Sequence, residues 1–307
     1  MKIINRTRCI IVGAPRSGTT TLWRQLAHHP DISPSRIKEL NYLHDQSLEG
    51  TAYDEHFNRG GLATVEASPI YFREHVTYAS KLAETFPNAR LVFILREPAM
   101  RLLAGFRSAR DWDCNIAKGV DFAQFVHIIA NDLDPLPIFP SNRARAVYAT
   151  DAKKVGLYAQ VLSHYLKFFD AKQMHILFLD DLVLRPEATR AAICNHINVN
   201  PSLMPFISPS AENQGVEIEN HKLFTLARRV NVTLEPMLNR APWLRAGLRS
   251  LHHAINAKPV DRSNKTVLAA LQEARDWYAF PNVQLAELLR DRFPHVSLPI
   301  WLEDNNH

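Results

Sequence analysis

The sequence predicts an α/β fold, a three-layer sandwich with helices on both faces of a central parallel sheet, and a mainly helical C-terminal portion packed on it. Three observations predict this. Apolar, β-favouring runs recur near residues 9, 63, 90 and 174, with helical spacing between them, and strands that alternate with helices build parallel sheets. The first apolar run passes straight into a glycine-bounded loop and then a helix. The 307 residues are 46% hydrophobic and 22% charged, enough apolar material to bury a sizeable core.

The chain begins with its most informative stretch. Cys9 to Val12 reads as a buried strand, Gly13 to Gly18 as a tight loop, and Thr19 onward as a helix marked by Leu22 and Leu26 and ended by His29-Pro30. Such a loop gathers backbone N–H groups on one point, where the helix dipole adds partial positive charge, so it binds anions. Gly13 and Gly18 have Walker A spacing, but the expected Lys is Thr19, and the loop is poorly equipped to activate a γ-phosphoryl group. Its cation lies inside the loop instead, at Arg16.

Next, Asp31 to Gly61 reads as polar and irregular, except for Ile-Lys-Glu-Leu-Asn-Tyr-Leu at 37–43. There the apolar neighbours Leu40, Tyr42 and Leu43 are expected to wall Glu39 and raise its pKa toward that of a useful base. Ala63 to Tyr71 reads as a short β-rich run that Pro69 stops, the second strand, and Tyr71 to Phe86 as a helix. Ala89 to Leu95 is an unbroken apolar run of the kind found in central parallel strands. Arg96-Glu-Pro-Ala-Met-Arg101 follows at its carboxyl end, where open α/β sheets bind ligands.

Beyond it, Trp112, the apolar patch from Phe122 to Ile129 and the proline-rich 134–140 segment form an excursion, read equally as an acceptor lid or a surface insertion. Asp151 to Phe169 reads as an amphipathic helix, Met174 to Leu179 as a strand, and a helix starts near Pro186. Asp180-Asp181 reads as a cap or loop anchor. The 221–249 stretch is rich in Arg and Lys, and 263–289 reads as helical.

The loop Pro15-Arg-Ser-Gly-Thr-Thr20 resembles the phosphosulfate-binding loop of the sulfotransferases that use 3′-phosphoadenosine 5′-phosphosulfate (PAPS). Leu95-Arg-Glu-Pro-x-x-Arg101 resembles their 3′-phosphate-binding segment. Lys38-Glu39-Leu-Asn-Tyr-Leu43 resembles the base-bearing segment of heparan-sulfate-type and bacterial members. The resemblance covers most of the first 200 residues. It implies a single domain over 1–307, with 1–200 a nucleotide-binding α/β core of P-loop-like fold and 201–307 mainly helical.

The same resemblance implies a site. Arg16, Ser17, Gly18, Thr19 and Thr20 would bind the 5′ end of PAPS, and Arg96 the 3′-phosphate. Ser108 would stand in for the Ser that is Ala104 here, and Gln214 and Gly215 would lie on a closing loop. Glu39 would be the general base. The family's catalytic Lys is Ala67 here, so Arg16 or Lys38 would have to supply that charge. Glu66 either orients the site from the strand end or pairs with a loop.

The implied reaction is sulfuryl transfer from PAPS to a hydroxyl or amine, releasing adenosine 3′,5′-bisphosphate, with no metal required. The acceptor is open among small molecules, saccharides and lipids, as is the oligomeric state. The alternatives are a P-loop nucleotide or sugar kinase and a non-catalytic protein that binds the bisphosphate.

The net charge of +5 suits a polyanionic nucleotide, and nothing in the sequence has zinc-finger or ribonucleoprotein spacing, so nucleic acid is not an expected partner. Cys9, Cys114 and Cys194 are read as reduced thiols, and His28-His29 and His252-His253 as surface histidines rather than metal ligands. The short polar start and the absence of a ~20-residue apolar run lead to the expectation of a cytoplasmic protein with no membrane span.

Overall fold

The computed structural model describes residues 6–57, 60–111, 116, 119–131, 133, 151–207, 216–218, 257–259 and 264–303. The chain divides into two compact units interleaved in sequence. The first takes Met1–Gly105, Val147–Ser208 and Leu271–His307, and the second Phe106–Ala146 and Pro209–Ala270.

The first unit holds a five-stranded sheet of β1 (Thr7–Gly13), β2 (Ile32–Pro34), β3 (Ala63–Ala67), β4 (Arg90–Leu95) and β5 (Met174–Phe178). Their order is β2-β3-β1-β4-β5, and every pairing is parallel. β1 is central, and the chain leaves it toward β2 and β3 before crossing back to β4. That reversal of order opens a crevice at the carboxyl ends of the strands.

Strand alternation fills both faces. Ile10, Val12, Leu91 and Phe93 point into a core with Leu82, Leu162, Leu285 and Phe293. Cys9, Ile11, Val92 and Ile94 point the other way, against Leu22, Leu26, Ile193 and Ile197. The second face is covered by α1 (Thr19–Leu26) and the helix Pro186–His196. The first is covered by α3 (His75–Thr85), by Tyr158–Tyr165 and by the C-terminal helix Lys265–Arg292, of which Leu285 and Leu289 are core residues. The three layers are those expected.

Several elements differ in detail from expectation. β2 lies within the stretch read as irregular, because three residues on a sheet edge leave almost no periodicity to read. The 71–86 helix is two, α2 (Ile70–Arg73) and α3. The 151–169 helix is interrupted, since residues 155–157 are turn and loop before Tyr158–Tyr165. At Gly156 a Cβ would meet the Tyr278 ring at 2.5 Å, and Tyr278 Oη donates to Lys153 O at 2.9 Å.

His29 is not a surface residue. It is fully buried, its Nδ1 accepting from Asp31 N (3.0 Å) and its Nε2 donating to Asn200 O (2.8 Å). His28 is exposed. Cys9 and Cys194 are buried free thiols, whereas Cys114, Trp112, His252-His253, 134–140 and 221–249 lie outside the described residues.

In the second unit, α5 (Phe122–Ala130) is started by a capping box in which Asp121 accepts from Gln124 N at 2.8 Å. Phe122 and Phe125 pack around Phe106, their ring centroids 5.5 and 5.2 Å from its own. A short antiparallel pair joins Val216–Ile218 to Ala257–Pro259. Among the described residues no helix is long and apolar enough to cross a membrane.

Candidate functional site

The loop after β1 is held in place by main-chain bonds. Ala14 N donates to Ile94 O at 2.8 Å, tying it to the end of β4, and Ser17 N donates to Ala14 O at 3.2 Å. Gly18 takes φ +97°, a left-handed geometry that a side chain resists. A Cβ on Gly13 would meet Phe72 Cβ at 2.5 Å, so only glycine lets the loop lie this close to the core.

α1 then begins with Gly18 as its N-cap, without a side-chain cap and without an acidic residue in its first turn. The first N–H groups of a helix have no partners within it. Left uncapped, with positive dipole charge at that end, they form a receptor for an anion. Thr19 and Ser17 are buried beside them, Thr20 is half-buried and Arg16 is exposed, with Arg16 in the left-handed region at φ 67°. The Ser17 hydroxyl adjoins Tyr158.

Arg96, at the end of β4, reaches back to this loop. Its Nη1 donates to Arg16 O at 3.3 Å, and its own carbonyl accepts from Tyr158 Oη at 2.8 Å. Glu97, beside it, pairs with Arg275 at 2.8 Å, so the adjacent acid is engaged with the C-terminal helix. The structure therefore joins the two expected nucleotide elements, Arg16 and Arg96, at neighbouring strand ends. Tyr158, which steadies Arg96, lies 62 residues away along the chain.

The segment carrying Glu39 lies against the end of β3. Glu39 N donates to Ala67 O at 3.1 Å, Asn41 N to Ser68 Oγ at 2.9 Å, and Leu43 N to Tyr71 Oη at 3.0 Å. Glu39 and Asn41 both have left-handed backbones, at φ 64° and 51°, while Leu40 between them is buried. Non-glycine residues adopt that conformation at a cost, and the three bonds hold them there.

The Glu39 side chain is 50% exposed and pairs with Lys38. The expected apolar wall is therefore absent: burying Leu40 turns Glu39 outward to a cation. Lys38 has its pKa lowered, first by burial and then by Arg16 and Arg24, against the opposing pull of Glu39. Arg16 and Lys38 thus stand within electrostatic reach of one another. Ala67, where a Lys was missed, is fully buried on β3 and contributes its carbonyl.

The buried carboxyl in this region is Glu66. It is fully buried, and desolvation pushes its pKa up to about 7 against the stabilising hydroxyls of Ser68 and Tyr53. The sequence assigns no partner to Ser68 or Tyr71. The signal for their role was Ser68-Pro-Ile-Tyr71 directly after the strand, but their partners lie 27 and 28 residues upstream.

Ser108 is buried on α4 (Pro98–Asp111) and belongs to the second unit. Gln214 and Gly215 lie outside the described residues. Asp181 serves as the expected anchor, accepting from Phe178 N at 3.2 Å and pairing with Arg185.

Comparisons with known proteins place this geometry. The chain is 28% identical over 193 residues to the bifunctional heparan sulfate N-deacetylase/N-sulfotransferase 1 of Caenorhabditis elegans, covering 58% of this chain and 20% of that protein. It is 22% identical over 205 residues to human heparan sulfate glucosamine 3-O-sulfotransferase 5, covering 65% and 55%. The chain thus spans only part of the length of these curated relatives. The fold matches the crystal structure of a sulfotransferase from Alicyclobacillus acidocaldarius with a TM-score of 0.53 at 22% identity, over 81% of this chain and 96% of that one. Residues 6–224, taking in the loop after β1, the Glu39 segment and Arg96, match the family described as the sulfotransferase domain, and the chain belongs to that family.

Proposed function

We propose that this protein transfers a sulfuryl group from PAPS to a hydroxyl or amine of a carbohydrate acceptor. One observation carries the reading: the uncapped start of α1, Arg96 and the Glu39 segment meet at the carboxyl ends of three adjacent parallel strands. The names of the relatives support a carbohydrate acceptor, since they act on heparan sulfate.

In this reading the N–H groups of Gly18, Thr19 and Thr20 bind the 5′-phosphosulfate, and Arg96 pairs with the 3′-phosphate by a charge-assisted bond. Glu39 takes the proton of the acceptor group as its oxygen or nitrogen attacks sulfur. The bond from sulfur to the bridging oxygen breaks, and Arg16 and Lys38 stabilise the charge left on adenosine 3′,5′-bisphosphate. Lys38 supplies the cation that Ala67 does not.

The test is calorimetric titration with adenosine 3′,5′-bisphosphate, 5′-AMP and ATP. Tighter binding of the bisphosphate than of 5′-AMP, lost in Arg96→Ala, supports the reading. Preference for ATP with magnesium would overturn it in favour of a kinase. A protein that binds the bisphosphate but transfers no label from PAPS to any desulfated glycosaminoglycan would be a binding protein.

A further inference from the structure

We propose that Glu66 is a positioning residue for Glu39, acting through Ser68 to hold the left-handed turn that presents the Glu39 carboxylate. This rests on the reading of Glu39 as the base.

A serine hydroxyl has one proton and two lone pairs. Ser68 Oγ accepts the Asn41 N–H at 2.9 Å, and its own proton goes to Glu66 Oε2 at 3.0 Å. With an acceptor at Glu66 the hydroxyl is locked with a lone pair toward Asn41. Without one it is free to turn, and the Asn41 amide loses a directed partner.

Asn41 is the second of the two left-handed residues, two positions after Glu39. Its amide bond closes the turn, and the next anchor is Leu43 N on Tyr71 Oη. Tyr71 is in turn fixed from the core side, where its carbonyl accepts from Tyr165 Oη at 2.9 Å. Glu66 is therefore the buried end of a relay that starts in the sheet and ends at the exposed base.

The setting makes the carboxyl costly. Every residue of β3 is buried, and the groups that stabilise the Glu66 charge are neutral hydroxyls. A carboxylate held in a strand interior by hydroxyls alone costs stability compared with an apolar residue of similar size. A role in holding the turn accounts for it, since an apolar side chain would leave the Ser68 proton without its acceptor.

The experiment compares Glu66→Gln, Glu66→Leu and Ser68→Ala in the full chain by three readouts. They are amide hydrogen exchange at Asn41 and Leu43, the Kd for adenosine 3′,5′-bisphosphate, and initial rates with labelled PAPS and N-desulfated heparin as the probe acceptor. Glu66→Leu and Ser68→Ala are expected to speed exchange at Asn41 by about tenfold or more and to lower kcat by about tenfold. Both should leave the bisphosphate Kd and the KM for PAPS within about twofold. Glu66→Gln, whose amide oxygen still accepts the Ser68 proton, is expected to keep most of the protection and rate.

Unchanged exchange at Asn41 in a folded Glu66→Leu or Ser68→Ala protein would overturn the proposal. So would a loss of bisphosphate affinity as large as the loss of kcat. If Glu66→Leu does not fold, Ser68→Ala decides alone. Should the wild type bind no bisphosphate, the sulfotransferase reading fails, while the exchange data still decide whether Glu66 holds the turn.

Discussion

The carboxyl ends of β1 and β3 lie side by side in the sheet, yet they are built from different materials. At β1 the receptor is main chain: glycines where side chains would collide or resist, and helix N–H groups left without a cap. At β3 the platform is side chain: hydroxyls from Ser68 and Tyr71 and a buried carboxyl clamp a separate segment through its amides. A main-chain receptor is compact in sequence and presents the same groups whatever the neighbouring residues, which suits an invariant phosphate ligand. A side-chain platform can aim one exposed acid at a variable partner, but it depends on residues far apart along the chain.

The comparison breaks most sharply at Glu39. Glu39→Gln is expected to lower kcat by about 10²- to 10⁴-fold while leaving bisphosphate affinity unchanged, because general-base groups contribute on that scale. Steady-state rates beside calorimetry check it, and a parallel loss of nucleotide affinity would mean that the two ends are not separable.

The next largest effect is on stability and lies at Glu66. Its folded pKa of about 7 is above the ordinary 4.5, so the folded state holds the proton more tightly than the unfolded one. Stability from this group is therefore present at low pH, falls as pH rises from 4.5 to 7, and stays reduced above that. The full effect is about 3 kcal/mol. Urea unfolding at pH 4 and pH 8 should show Glu66→Gln gaining stability relative to wild type at the higher pH.

Histidines on β5 and on the helix Pro186–His196 beside it act in the opposite sense. Burial lowers His175 to about 4 and His196 to about 3, so their contribution is lost as pH falls below the ordinary histidine value of 6.5. Replacing Glu66 should leave that acid-side loss intact.

Arg96→Ala is expected to weaken bisphosphate binding by about 10- to 100-fold, the scale of one charged hydrogen bond, and to leave 5′-AMP binding nearly unaffected. Competitive titration of the two nucleotides would sharpen the contrast, since loss of both would place Arg96 under the loop rather than on the 3′-phosphate.

Gly18→Ala is the smallest change. A side chain at φ +97° costs about 1–2 kcal/mol, and its Cβ would press the end of Leu179 at 2.8 Å, a contact that a flexible side chain can relieve. Thermal unfolding should fall modestly, with bisphosphate affinity falling alongside it and the Glu39 segment unmoved.

By itself the sequence determined the layers of the fold and the loop and strand end that bring Arg16 and Arg96 together. Apolar alternation and glycine placement are local properties, so β1, its loop, β4 and Arg96 are all legible within windows of a dozen residues. The Glu39 segment was legible as a motif but its surroundings were not. The chain gives Leu40, Tyr42 and Leu43 around Glu39, which reads as an apolar wall, whereas folding buries Leu40 and turns Glu39 out to Lys38.

Only the tertiary structure decided which carboxyl is buried, because burial depends on what packs from elsewhere. Glu66 is enclosed because β3 is covered on both sides and flanked by β1 and β2. The same holds for the clamp. Parallel strands bring Ser68 and Tyr71 to residues 27 and 28 positions earlier, and a hydrogen bond across that separation leaves no periodic trace in the sequence.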